Sequence, residues 1–161
     1  VARELPPFGG DTQFANQYLA YETLSEGMKS LLSRLRGVSR SDKAEASRTR
    51  EDRQTAERTV MVADHPVVRT HPETGRKSLF VNLAHTAHFV GMTEAESAPL
   101  LRYLFEHQVK PEFTCRFRWR EGSVAFWDNR ATWHYAANDY QGERRLMHRI
   151  TVSGCALEAA A

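Results

Sequence analysis

Phe113-Thr114-Cys115-Arg116-Phe117-Arg118-Trp119-Arg120 alternates apolar and polar side chains at nearly every step. A period of two places successive side chains on opposite faces, so this stretch reads as a half-buried β-strand. Glu121-Gly122-Ser123 follows as a turn. Val124-Ala125-Phe126-Trp127-Asp128 then reads as a second strand, and Arg145 to Val152 as a third.

Upstream the pattern changes. Thr93 with Glu96 three residues on is a capping box, which starts a helix running to about Val109 with Leu100, Leu101, Leu104 and Phe105 on its apolar face. His65-Pro66-Val67-Val68-Arg69 and Ser78-Leu79-Phe80-Val81-Asn82 are strand-like and flank His71-Pro72-Glu73-Thr74-Gly75, a turn, so they predict a β-hairpin. A helix fits residues 15–36, with a break near Ser25-Glu26-Gly27. Residues 6–12 hold two prolines and two glycines and form a turn. Residues 37–58 carry almost no large apolar side chain and read as a charged loop or lid. Short antiparallel strands with a few helices predict a mainly β, α+β domain of sandwich or jelly-roll type.

The chain has 161 residues, 41% hydrophobic and 26% charged, with a formal net charge of +2. That suffices for one domain with a core. No apolar run approaches the ~20 residues of a membrane span, and the opening residues lack the apolar stretch of a signal peptide. With Cys115 and Cys155 in no metal-type spacing, the expectation is a cytoplasmic protein with free thiols. The arginines of residues 34–58 are interleaved with acidic residues, so a solvated face is expected and no nucleic-acid partner.

Chemistry concentrates in Trp127-Asp128-Asn129-Arg130-Ala131-Thr132-Trp133-His134-Tyr135-Ala136 and in Glu143-Arg144-Arg145-Leu146-Met147-His148-Arg149. In a strand from 145 to 152, Arg145 and Arg149 share a face with Cα atoms ~13 Å apart. Each guanidinium offers a fork for a carboxylate, sulfonate or phosphate, so the pair can hold two different anions.

These motifs resemble the taurine dioxygenase family, which includes the 2,4-dichlorophenoxyacetate dioxygenases. The resemblance runs through Gly9-Gly10-Asp11-Thr12, Ala20-Tyr21-Glu22-Thr23-Leu24, His65 to Pro72, Leu79-Phe80-Val81-Asn82, Lys110-Pro111-Glu112-Phe113, Trp127-Asp128-Asn129-Arg130, His134-Tyr135 and Arg144 to Arg149. It implies a double-stranded β-helix and an oxygenase using iron(II), 2-oxoglutarate and O2. It also implies roles. His134 matches the distal histidine of a two-His, one-carboxylate iron site. Arg145 and Thr12 match the residues that hold the far carboxylate of 2-oxoglutarate, and Trp127 an aromatic residue beside the metal. Arg149 matches the arginine that pairs with an anionic substrate. His85 falls where the taurine enzyme has a substrate-facing Phe.

The chain departs from the family in one respect. The first two ligands form a His-x-Asp or His-x-Glu motif upstream of the Gly-Gly-Asp-Thr segment, and no histidine of this chain stands in such a motif. The expectation is therefore a single partial jelly roll over residues 1–155, incomplete at its N-terminus, followed by a tail at 156–161. The expected activity is hydroxylation of a small anion (a sulfonate, sulfate ester or aryloxyalkanoate) at a site completed by residues outside this chain. The alternative is a non-catalytic fragment that binds anions or self-associates, because half a jelly roll leaves sheet edges to be paired.

Overall fold

A computed structural model describes residues 1–43 and 59–154. The lid expected within 37–58 lies outside the described residues from 44 on, as does the tail at 156–161. The strands are β1 (Ala2–Glu4), β2 (Thr12–Asn16), β3 (Arg36–Arg40), β4 (Val62–Pro66), β5 (Val68–Thr70), β6 (Lys77–Leu79), β7 (Thr86–Phe89), β8 (Thr114–Phe117), β9 (Thr132–Ala136) and β10 (Leu146–Met147). The helices are α1 (Gln17–Glu22), α2 (Glu26–Leu32) and α3 (Glu94–Gln108). All described strand pairs are antiparallel, in the orders β8-β2-β9, β4-β3-β7, β1-β10 and β5-β6. This is the expected mainly β architecture with helical support.

Local chemistry explains the helices. Ser25 caps α2 by accepting from the Met28 amide, and Asn16 caps α1 by accepting from Tyr18 and Leu19. The capping box on α3 is complete: Thr93 Oγ1 accepts from the Glu96 amide at 3.2 Å and Glu96 Oε2 from the Thr93 amide at 2.8 Å. The β5–β6 hairpin forms with Val68 opposite Leu79. Ala20, Leu24 and Leu32 of the first two helices, Leu101 and Leu104 of α3, and Val67, Val68, Leu79, Val81 and Phe89 of the hairpin region make the buried core.

Four expectations need correction. The helix expected at 15–36 is two short helices broken at Thr23–Ser25, and Thr12–Asn16 ahead of it is a strand. Strand β2 is decided by pairing rather than by pattern, since it has a neighbour on each side. Residues 36–40, expected in a loop, are the central strand of β4-β3-β7. Its one fully buried residue is Gly37, where a Cβ would come within 3.0 Å of Thr86 Cγ2; close approach replaces the large side chain that the sequence lacks. Residues 124–128 are not a strand, because no described segment pairs with them, and Phe126 is 92% exposed. The strand expected at 145–152 shrinks to Leu146–Met147 against β1. Reciprocal bonds between Val1 and His148 extend the ladder briefly, and beyond them Ile150 is 94% exposed. The shared face of Arg145 and Arg149 therefore does not come from one regular strand.

Candidate functional site

Strand β2 is the spine of the candidate site. Its register sets Thr12 opposite Ala136 and Phe14 opposite His134 on β9, and the same two residues opposite Phe117 and Cys115 on β8. Directly opposed side chains in an antiparallel ladder share a face, so Thr12, Phe14 and His134 lie on one side of this sheet.

Thr12 is buried, and its Oγ1 accepts from the Trp119 indole N–H at 2.9 Å. The hydroxyl proton is left to donate elsewhere. Just before it, Gly9 and Gly10 both have φ near +71°. A Cβ on Gly10 would meet Arg145 Nε at 2.9 Å. Only glycine permits this backbone and this close approach. Arg145 donates through Nη2 to the Gly10 carbonyl at 3.0 Å and lies over the Tyr140 ring. Its Nε is buried without a hydrogen-bond partner among the described residues. A buried donor without an acceptor is costly, and an anion carboxylate would satisfy it. The turn is fixed by Asp139, which accepts from the Gly10 amide at 2.7 Å, and by the Arg116–Asp11 ion pair at 2.6 Å.

On the same face, His134 is exposed on one side and packs beside two aromatic rings, Trp127 at 5.0 Å and Phe14 at 6.5 Å between centroids. Burial against them lowers its pKa, and the nearby charge of Arg149 lowers it further. A neutral imidazole has a lone pair to give a metal. Arg149 itself is exposed, in the segment after β10. His85 is exposed in the turn that leads into β7 of the other sheet, its Nδ1 3.4 Å from the Arg40 carbonyl oxygen; no hydrogen bond or ring contact among the described residues joins it to Thr12, His134 or Arg145. Thus Thr12, Trp127, His134 and Arg145 come together along β2, Arg149 lies within electrostatic reach of His134, and His85 stands apart.

The donor set fits 2-oxoglutarate and falls short for iron. An arginine with an unsatisfied buried donor, a threonine hydroxyl and a glycine cradle suit a carboxylate. For the metal, no group of three or more His, Cys, Asp or Glu side chains that could hold an ion occurs among the described residues. Phe14, Trp119, Tyr140 and Asp139 were not foreseen. Phe14 would have followed from Thr12 by i, i+2 spacing had residues 12–16 been read as a strand.

The antiparallel strands around β2 carry one histidine and an arginine cradle for an anion, a mainly β arrangement of jelly-roll type. The chain belongs to the taurine catabolism dioxygenase TauD, TfdA family, whose family model matches residues 1–151. It is similar to an alkylsulfatase of Acinetobacter baylyi, 38% identical over 162 residues, 93% of this chain and 50% of that protein. It is also similar to an alpha-ketoglutarate-dependent sulfate ester dioxygenase of Pseudomonas putida, 37% identical over 161 residues, 92% of this chain and 52% of that protein. A crystal structure of a taurine dioxygenase from Burkholderia xenovorans matches with a TM-score of 0.72 and 45% identity, over 86% of this chain and 45% of that one. The chain spans about half the length of the curated relatives it matches. Among the described residues, no helix is long and apolar enough to cross a membrane.

Proposed function

We propose that this chain is the cosubstrate-holding part of an iron(II)- and 2-oxoglutarate-dependent dioxygenase that hydroxylates a small anionic substrate. The observation that carries the reading is the buried Nε of Arg145 in the Gly10 cradle, unpartnered among the described residues, in the same region as Thr12 and His134. Arg145 and the Thr12 hydroxyl hold the far carboxylate of 2-oxoglutarate. His134 is one metal ligand, and Trp127 limits its motion. The other two ligands, a His-x-Asp or His-x-Glu pair, come from polypeptide outside these residues. The overall reaction joins one oxygen atom of O2 to a substrate C–H bond and the other to 2-oxoglutarate, which leaves as succinate and CO2.

Arg149 pairs with the anionic group of the substrate, and its charge beside His134 supports that placement. A sulfate ester or sulfonate is the first choice of substrate, given the names of the similar proteins, with an aryloxyalkanoate next.

The test is the weak visible charge-transfer band formed when iron(II) and 2-oxoglutarate bind together. It is expected in a chain extended at its N-terminus with the missing ligands and absent from this chain alone. No band in the extended chain would defeat the enzyme reading. A band in this chain alone would show that its ligands have been miscounted. A second reading, a non-catalytic piece that self-associates, draws on the exposure of Val124, Phe126, Ile150 and Val152. Sedimentation decides it: self-association without iron binding by the extended chain favours the second reading.

A further inference from the structure

His71 lies in the β5–β6 hairpin turn, far in sequence from the proposed ligand, and is 4% exposed. Every polar atom of this residue is used. Its amide donates to the Arg76 carbonyl at 2.8 Å, and its carbonyl accepts from the Gly75 amide at 2.9 Å. Its Nδ1 accepts from the Glu73 and Thr74 amides at 3.3 and 3.2 Å. Two donors aimed at Nδ1 leave it no proton. The proton is therefore on Nε2, which donates to Asp128 Oδ2 at 3.0 Å.

Asp128 gathers the stretch 127–130 into a rigid turn. Its Oδ1 accepts from the Arg130 amide at 2.8 Å, and its carboxylate takes the Arg130 guanidinium through Nε and Nη2, the latter at 2.6 Å. Arg130 reaches back to Glu73 of the hairpin at 2.9 Å. These bonds hold the Asp128 carboxyl below the usual carboxylate range, so it stays an acceptor. Asn129 Oδ1 accepts from the Trp127 indole N–H at 2.8 Å. Trp127 then faces His134 at 5.0 Å and Phe14 at 5.0 Å. Hydrogen bonds thus run from the packed hairpin, through one imidazole proton, to the turn that carries Trp127, and a ring contact links Trp127 to the proposed metal ligand.

We propose that His71 and Asp128 are positioning residues that set the Trp127 indole against His134 and so fix the orientation of its imidazole. The role rests on His134 being a metal ligand, but the geometry can be tested without metal. Ordered tryptophan and ligand rings matter because a ligand held in its binding orientation loses less freedom when the ion arrives.

Two substitutions of His71 separate the contacts. His71→Asn keeps an acceptor near the Nδ1 position and loses the reach to Asp128. His71→Gln keeps a donor near the Nε2 position. Asp128→Asn preserves shape but leaves one acceptor oxygen for the protons of both His71 and Arg130, so one arm of the clamp meets an amide N–H in place of an acceptor. The readout is proton NMR at one pH, with no metal: the nuclear Overhauser contact between Trp127 and His134 ring protons, and the ring-current shift of the His134 protons. Both should be lost in His71→Asn and in Asp128→Asn and retained in His71→Gln, while the amide spectrum of the hairpin stays folded. Retention of the contact in His71→Asn and Asp128→Asn would overturn the proposal. Its loss in all three would also overturn it, since general loosening rather than the shared proton would then govern the rings. Iron binding by the extended chain is scored separately. A missing charge-transfer band with these shifts as expected removes the metal role and leaves the clamp. A normal band with unchanged rings does the reverse.

Discussion

The two halves of the molecule bury different things. Around α1, α2, α3 and the β5–β6 hairpin, Leu, Val and Phe side chains pack on one another into a closed core, and polar groups such as His71, Ser97 and His107 are buried beside them with hydrogen bonds. Around β8-β2-β9 and β1-β10, the few buried residues are small (Ala2, Thr12, Ala15, Ala131), and the large apolar ones are half-buried, as Phe14 and Trp127 are, or exposed, as Phe126 and Ile150 are. Burial of apolar surface stabilises, whereas a face meant for a charged ligand has to keep donors free and access open. The helical half supplies the folding energy. The open sheet supplies His134, Thr12 and Arg145, and the His71–Asp128 bond is where the first half steadies the second.

The sharpest way to break this contrast is to truncate one phenylalanine from each half. Phe89 is fully buried, so Phe89→Ala should cost about 3–5 kcal/mol of unfolding free energy through lost burial and the cavity left behind. Phe126 is almost bare, and Phe126→Ala should change stability by no more than about 0.5 kcal/mol. Urea unfolding followed by far-UV dichroism compares them. Equal losses would mean that the open half is as tightly packed as the helical one.

Next in size is Arg145→Ala. Among the described residues the guanidinium has one hydrogen bond, to the Gly10 carbonyl, so its loss should move stability little. Removing charge-assisted bonds to a carboxylate should weaken 2-oxoglutarate binding by about 2–3 kcal/mol, or roughly 30- to 150-fold. Titration of the charge-transfer band in the iron-loaded extended chain measures it. Unchanged affinity would remove Arg145 from the cosubstrate pocket.

What was legible in the sequence follows the same division. The capping box at Thr93–Glu96, the helix behind it and the hairpin turn at His71–Gly75 depend on neighbours in sequence, and they appear as expected. Strand β3 did not, because its burial rests on Gly37 fitting under Thr86, a contact no periodicity encodes. The runs at Val124–Asp128 and at 148–152 have strand-like patterns, yet a pattern makes a strand only where a partner offers its backbone. In the site, Thr12, Trp127, His134 and Arg145 came from the resemblance to the dioxygenase family. Their company — Phe14, Trp119, Tyr140 and His71 — depends on strand register and loop closure across more than a hundred residues in places, and no local signal carries that.

A smaller test stays within the packed half. Thr93→Ala removes an N-cap whose hydroxyl holds the Glu96 amide. Loss of the box should cost about 1 kcal/mol by urea unfolding. Because α3 carries Leu101 and Leu104 into the core, the whole transition should shift. Loss of helical signal at unchanged midpoint would mean that α3 frays independently of the core.

The smallest effect, in the hairpin region, is a pH slope. Burial lowers the His65 pKa beneath its ordinary 6.5; Asp64 opposes this, and Arg36 and Arg69 add to it. Its ring also stands edge-on to Phe80 at 5.7 Å. As pH falls past 6.5, the unfolded chain takes up its proton first, so folded His65 favours the native state fully only above that value. The contribution is lost as pH falls through the lower folded pKa, below which both states are protonated. Urea midpoints between pH 7.5 and pH 5 should therefore decline less in His65→Gln than in the parent chain. His134 is lowered by the same cause in the open half, so the slope left in His65→Gln should shrink again when His134→Gln is added. If the first substitution changes nothing and the second removes the slope, the proton-sensitive burial belongs to the open sheet alone.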